Sequence, residues 1–141
     1  MKTIILSLLL VISGAAIAIP RSAAPQNNDG FDAFWQKFKA AVTRVDKETV
    51  VSLTGFPMRM PGRVRNIKDA ADLRLRYRDV FNKYANAAKC FANETPIEDP
   101  NNRKQYVISC FDNTGSAIDY IFARDKSGWK FVKLDKYDLP D

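Results

Sequence analysis

No histidine occurs anywhere in the 141 residues. That absence removes a Ser-His-Asp triad, a Cys-His nucleophile, an imidazole base and an HExxH zinc motif. Cysteine is nearly as scarce, with Cys90 and Cys110 alone. Two thiols without an imidazole make a poor ligand set, so neither a metal nor a cofactor is expected. They lack CxxC spacing, and nothing near them in the sequence activates a thiolate. No internal repeat is present. With 46% hydrophobic and 27% charged residues, the chain reads as globular rather than disordered or fibrous. Its length suits a single domain.

Long apolar runs are also missing, except one short run at the start. Met1-Lys2-Thr3 is followed by an apolar stretch from Ile4 to Ile12 and by small residues ending Ala16-Ile17-Ala18. This is the order of a secretory leader with an A-x-A cleavage site. The run is shorter than the roughly 20 residues a membrane span requires. Residues 1–18 are therefore expected to be a removed signal peptide, 19–30 a flexible lead-in, and 31–141 one α+β domain. The expected product is secreted or periplasmic, with no stable membrane insertion. It stays basic, since the whole chain carries a formal charge of +6 and the leader holds only Lys2. In an oxidising compartment, Cys90 and Cys110 are expected to form one structural disulfide.

Asp29 is placed to cap a first helix, in which Phe31, Phe34, Trp35, Phe38, Ala41, Val42 and Val45 form an apolar stripe. Asp46 predicts a second cap, before a short helix from Lys47 to Leu53. Gly55-Phe56-Pro57 should break that helix, and Pro61-Gly62 should turn the chain between Met60 and Val64. The stripe Ala70, Leu73, Tyr77, Val80, Phe81, Tyr84, Ala88 predicts one long helix over 69–89. Pro96 and Pro100 predict a loop over 93–102. The period then changes to two. Tyr106, Ile108, Cys110, then Ile118, Tyr120, Phe122, then Trp129, Phe131, Lys133 alternate across Gly-containing turns. That pattern predicts an antiparallel meander with helices on one face.

The segment Phe34-Trp35-Gln36-Lys37-Phe38-Lys39-Ala40-Ala41-Val42, with Asp46 and Leu53-Thr54-Gly55-Phe56-Pro57, resembles the start of small exported proteins of the nuclear-transport-factor-2-like superfamily (cystatin-like α+β cones). Gly128-Trp129-Lys130-Phe131-Val132 is similar to the last strand of that fold. The resemblance spans roughly residues 31–135 and rests on element order rather than on a diagnostic motif. It implies a curved sheet wrapped around a long helix, with a pocket at the open end of the cone. The superfamily contains isomerase-like and dehydratase-like enzymes and many binding or dimerising domains. Its catalytic Tyr and Asp set does not map onto this sequence, so no active-site residue is carried over. A short first strand also departs from the fuller sheet of the enzymes.

Without histidine, base chemistry falls to carboxylates and tyrosines. Asp119 is the catalytic candidate, since it lies mid-strand beside Tyr120. Alternation, however, assigns it to the solvated face. A second constellation is basic: Arg59, Arg63, Arg65, Lys68, Arg74, Arg76 and Arg78 fall within residues 59–78, against Asp69 and Asp72. Arg74 and Arg78, four apart, would share a helix face. Such a patch suits an anionic protein or surface, unless the acidic 94–99 loop neutralises it. Nothing else in the sequence supports nucleic-acid binding. Asn93-Glu94-Thr95 fits the glycosylation pattern. The expected function is an exported, non-catalytic binding domain for a protein or small apolar ligand. The alternatives are a cofactor-free lyase or isomerase using a pocket carboxylate and Tyr, and an inhibitor or immunity-type protein of an exported enzyme. A homodimer is compatible with each.

Overall fold

The structure is a computed structural model that describes residues 30–138. The leader, the lead-in as far as residue 29 and the expected cap Asp29 lie outside the described residues. Five helices and five strands follow in the order α1 (Phe31–Thr43), α2 (Lys47–Ser52), β1 (Thr54–Arg59), α3 (Ala70–Leu75), α4 (Tyr77–Phe81), α5 (Ala87–Asn93), β2 (Ile97–Asp99), β3 (Asn102–Phe111), β4 (Ala117–Asp125) and β5 (Gly128–Tyr137). The strands form one curved, unclosed sheet in the order β1-β5-β4-β3-β2. The helices cover one face, as the α+β reading expects.

The α1 stripe buries Phe31, Phe34, Trp35, Phe38, Ala41 and Val42. Val45, expected in the same stripe, is instead 58% exposed. It adopts φ 56°. The Asp46 amide donates to the Ala41 carbonyl at 2.9 Å and the Val45 amide to that of Val42 at 3.1 Å. These two bonds are a Schellman ending, whose left-handed residue is usually glycine. Asp46 then starts α2 as expected. Its carboxylate accepts from the Thr49 amide at 3.1 Å and from the Thr49 hydroxyl at 2.7 Å. The hydroxyl bond is the main reason its carboxyl is held below the usual range.

Gly55-Phe56-Pro57 does end α2, but the residues go on into β1, which pairs parallel to β5. The sheet is therefore mixed, with the meander as its antiparallel part. Pro57 is tolerated because β1 is an edge strand. Gly55 permits close approach, since a Cβ there would lie 3.2 Å from Val132 Cγ1. Near the end of β1, Met58 bridges to Ile67 around the expected Pro61-Gly62 turn.

The expected long helix over 69–89 is broken into α3, α4 and α5. Arg76 separates the first two, and Asn86 caps α5 by accepting from the Lys89 amide at 3.0 Å. Of the expected stripe, Leu73, Tyr77, Val80 and Phe81 are buried while Ala70, Tyr84 and Ala88 are half-buried; past the break after α4 the buried positions are Ala85, Ala87 and Phe91. The expected 93–102 loop contains the three-residue β2, which pairs Ile97 with Val107 and Glu98 with Tyr106.

The meander keeps its expected inward set on two strands. Tyr106 lies opposite Phe122, Ile108 opposite Tyr120 and Cys110 opposite Ile118. On β5 the parity slips. Phe122 pairs with Phe131 while Ile121 pairs with Lys133, so Val132 is an extra residue. Leu134, and not Lys133, is consequently buried beside Phe131. Turn chemistry fixes both hairpins. Asp112 accepts from the Thr114 amide at 2.8 Å and Asp125 from the Ser127 amide at 2.7 Å. Gly115 and Gly128 follow at positive φ.

Cys90 of α5 and Cys110 of β3 are joined, with Cα atoms 5.8 Å apart. The bridge ties the helical layer to the sheet. Replacing both cysteines by alanine should lower unfolding free energy by about 2–4 kcal/mol in denaturant titration. An unchanged midpoint would deny the bridge a stabilising role. Val45→Gly should raise stability by about 1 kcal/mol, since an exposed side chain is lost and left-handed strain is relieved. A lower melting temperature would contradict that ending for α1.

Candidate functional site

The concave side of the sheet is where the resemblance implies a pocket. Aromatic rings occupy it. Phe122 of β4 meets Phe31, Phe34, Trp35 and Phe38 of α1 at centroid distances of 5.9, 5.7, 5.7 and 5.2 Å. Phe38 also meets Phe131 at 5.5 Å, and Phe91 meets Tyr120 at 5.0 Å. Phe38, Phe91, Tyr120, Phe122 and Phe131 are each 0% exposed. Two phenols stand in this layer. Tyr120 donates to the Val80 carbonyl at 3.1 Å. Tyr77 has a buried hydroxyl with no hydrogen-bond partner among the described residues. Burial, assisted by the Asp46 charge, pushes the Tyr77 phenol up to about 12. Burial also raises the Tyr120 phenol. Both stay protonated at neutral pH.

Asp119 projects from the other face of β4. It accepts from the Ser109 hydroxyl at 2.6 Å and lies opposite Asp135. Asp135 pairs with Lys133 and accepts from the Tyr137 hydroxyl at 3.0 Å. The catalytic candidate thus stands apart from Tyr77 and Tyr120; the phenol near it is Tyr137, raised chiefly by burial and in small part by the Asp119 charge.

The basic constellation is partly neutralised and partly free. Asp72 is buried and acts as its anchor. It accepts from Arg65 Nη2 at 3.2 Å and from the Lys68 amide at 3.2 Å. Arg76 approaches the same carboxylate at 3.8 Å and donates to the Arg65 carbonyl at 2.9 Å. Arg65 is held at both ends, yet its side chain stays 64% exposed. The break at Arg76 parts Arg74 from Arg78, so they do not share one helix face. Arg74 turns to Glu48 of α2 in a bidentate pair, both contacts 2.6 Å. That pair draws the Glu48 carboxyl down and the Arg74 guanidinium up.

Neutralisation comes from Glu48, Asp72 and Asp79, not from the 94–99 loop, where Glu98 pairs with Arg103 at 3.4 Å. Arg59, Arg63 and Arg78 are exposed and have no ion pair among the described residues. Between the charges, Leu75 is 84% exposed. Arg65, Lys68, Asp69, Ala71, Asp72 and Leu75 line an open groove there. The sequence exposed these cations to view but did not single out Leu75, whose place off the Ala70, Leu73, Tyr77 stripe was the available signal.

Asn93 is exposed at the end of α5, where its amide donates to the Lys89 carbonyl at 2.8 Å. Among the described residues no group of three or more acidic or thiol side chains is placed to hold a metal, and no helix is long and apolar enough to cross a membrane.

No family model matches the chain, and no curated protein matches it. Solved structures do. A domain of unknown function with a cystatin-like fold from Nostoc punctiforme is 10% identical, with 84% of this chain and 81% of that one covered and a TM-score of 0.49. A ketosteroid isomerase-like protein from Erwinia carotovora is 12% identical, covering 83% and 100%, at 0.48. A nuclear-transport-factor-2-like protein with a cystatin-like fold from Novosphingobium aromaticivorans is 13% identical, covering 79% and 80%, at 0.41. The chain is similar to these proteins, and at such identities none of them assigns it an activity.

Proposed function

We propose that this protein is a non-catalytic binding domain, exported from the cytosol, that docks an acidic protein partner on its Arg-rich shoulder. One observation carries the reading. Leu75 is 84% exposed in a groove that it shares with Arg65 and Lys68, and Arg59, Arg63 and Arg78, close by in the sequence, are exposed and without an ion pair among the described residues. An exposed apolar side chain beside exposed cations has the make-up of an interface anchor with a charged rim. The partner supplies carboxylates to the cations and an apolar side chain to Leu75. The Asp72 anchor supports the same reading, because Arg65 is pre-positioned and loses little freedom on binding. The enzymatic alternative would need a carboxylate inside the cone, and its candidate, Asp119, lies on the other face of β4, away from Tyr77 and Tyr120. Export rests on the leader pattern and on the disulfide, which persists in oxidising compartments.

The test is fluorescence anisotropy with a labelled Glu-rich peptide carrying one leucine. Affinity should fall about tenfold or more between ~50 mM and ~300 mM salt. It should be lost in an Arg63→Gln/Arg78→Gln variant and weakened in Leu75→Ser. Binding indifferent to both salt and these substitutions would remove the proposal.

A further inference from the structure

A second concave place lies beside α5, lined by none of the Arg-rich shoulder's residues. β2 reaches along β3 only to Val107, which leaves Ser109–Phe111 as the margin of the sheet beside α5. A groove of about 340 Å³ runs between them, lined by Asn86, Lys89, Asn93, Glu94 and Phe111, with the disulfide at its base. The Cys90–Cys110 bridge joins its two walls, so the groove exists before any ligand arrives.

The hydrogen-bond valences of its side chains are incompletely used. Asn86 spends its carbonyl oxygen on the Lys89 amide, which leaves its NH2 group unspent among the described residues. Asn93 spends one N–H on the Lys89 carbonyl, which leaves its oxygen. Lys89 and Glu94 are exposed and make no ion pair among the described residues. Phe111 is 60% exposed on a strand that fixes its position. Donors and acceptors are therefore both present, with one positive and one negative charge among the lining side chains. An anion meets Glu94 and a cation meets Lys89, so a net charge gains little here. A purely apolar ligand would strip water from four polar side chains without replacing it. A neutral polyhydroxylated ring meets all the requirements. Its hydroxyls both donate and accept, and its C–H face, slightly positive, packs on the negative face of an aromatic ring.

We propose that this groove binds a short neutral carbohydrate, with one pyranose ring stacked on Phe111 and its hydroxyls bonded to Asn86, Lys89, Asn93 and Glu94. The site is separate from the Arg-rich shoulder, and its ligand carries no charge, so its binding is insensitive to salt.

The experiment is an amide NMR titration of the disulfide-intact protein with chitotetraose, cellotetraose and maltotetraose, each to about 10 mM. At least one should shift the amides of Lys89, Asn93 and Phe111 saturably. Phe111→Ala should weaken that binding about tenfold or more. Phe111→Trp should preserve it. Because the ring is exposed, both variants should keep the wild-type spectrum outside the groove. The proposal is overturned if none of the three sugars gives a saturable shift, if the shifts map elsewhere, or if the alanine variant binds as the parent does.

Discussion

The packing of Phe122 against the α1 rings is the constraint on which the rest depends. Phe122 stands at the middle of β4, and β4 is the middle strand of the sheet. Burying one such ring contributes roughly 1.5–3 kcal/mol. Edge-to-face contacts add about 0.5–1.5 kcal/mol per pair. Phe31, Phe34, Trp35 and Phe38 approach it along one helix face, so the direction of α1 over the sheet follows from this ring. The bulge at Val132 belongs to the same arrangement. It lets Phe131 and Leu134 both point inward, where strict alternation would bring Lys133 into an aromatic layer.

Aromatic rings occupy the concave face, and both proposed sites lie on the surface. What remains are surfaces whose geometry is held by buried anchors. Asp72 fixes Arg65 and the Lys68 backbone from beneath, and the Cys90–Cys110 bridge fixes α5 against β3. Each proposed site pairs such an anchor with one exposed apolar residue, Leu75 in the first case and Phe111 in the second. Their ligand chemistry differs because the surrounding charges differ. The shoulder has a surplus of cations, whereas in the groove Lys89 and Glu94 balance.

Much of this fold was legible in the sequence, and the misses have physical causes. The α1 stripe as far as Val42, the Asp46 cap and the inward residues of β3 and β4 follow from periodicity and capping chemistry, and the disulfide from the leader pattern and a count of two cysteines. β1 was expected only through the resemblance, as a short first strand; its own Gly and Pro argue against a strand, and only an edge position beside β5 makes them acceptable. The broken helix was hidden because its apolar stripe runs on through the breaks. Asn82 and Asn86, both good terminators or caps, were the available signal. The slip at Val132 had no local signature, since it is imposed by which residue the aromatic layer admits. Of the sites, the cation run was visible as charge. The Asp72 anchor and the exposure of Leu75 were not, because both arise from contacts between segments distant in the chain.

The central claim is that side chains fill the concave face of the sheet. Xenon-dependent amide and methyl shifts in the wild-type protein test it directly, because xenon enters dry apolar cavities of about 150 Å³ without needing a polar partner. A filled layer predicts no saturable shift at Phe38, Ile108, Tyr120 or Phe122. Saturable shifts at those residues would reveal an open cone, and the account of a surface-acting protein would fail with it.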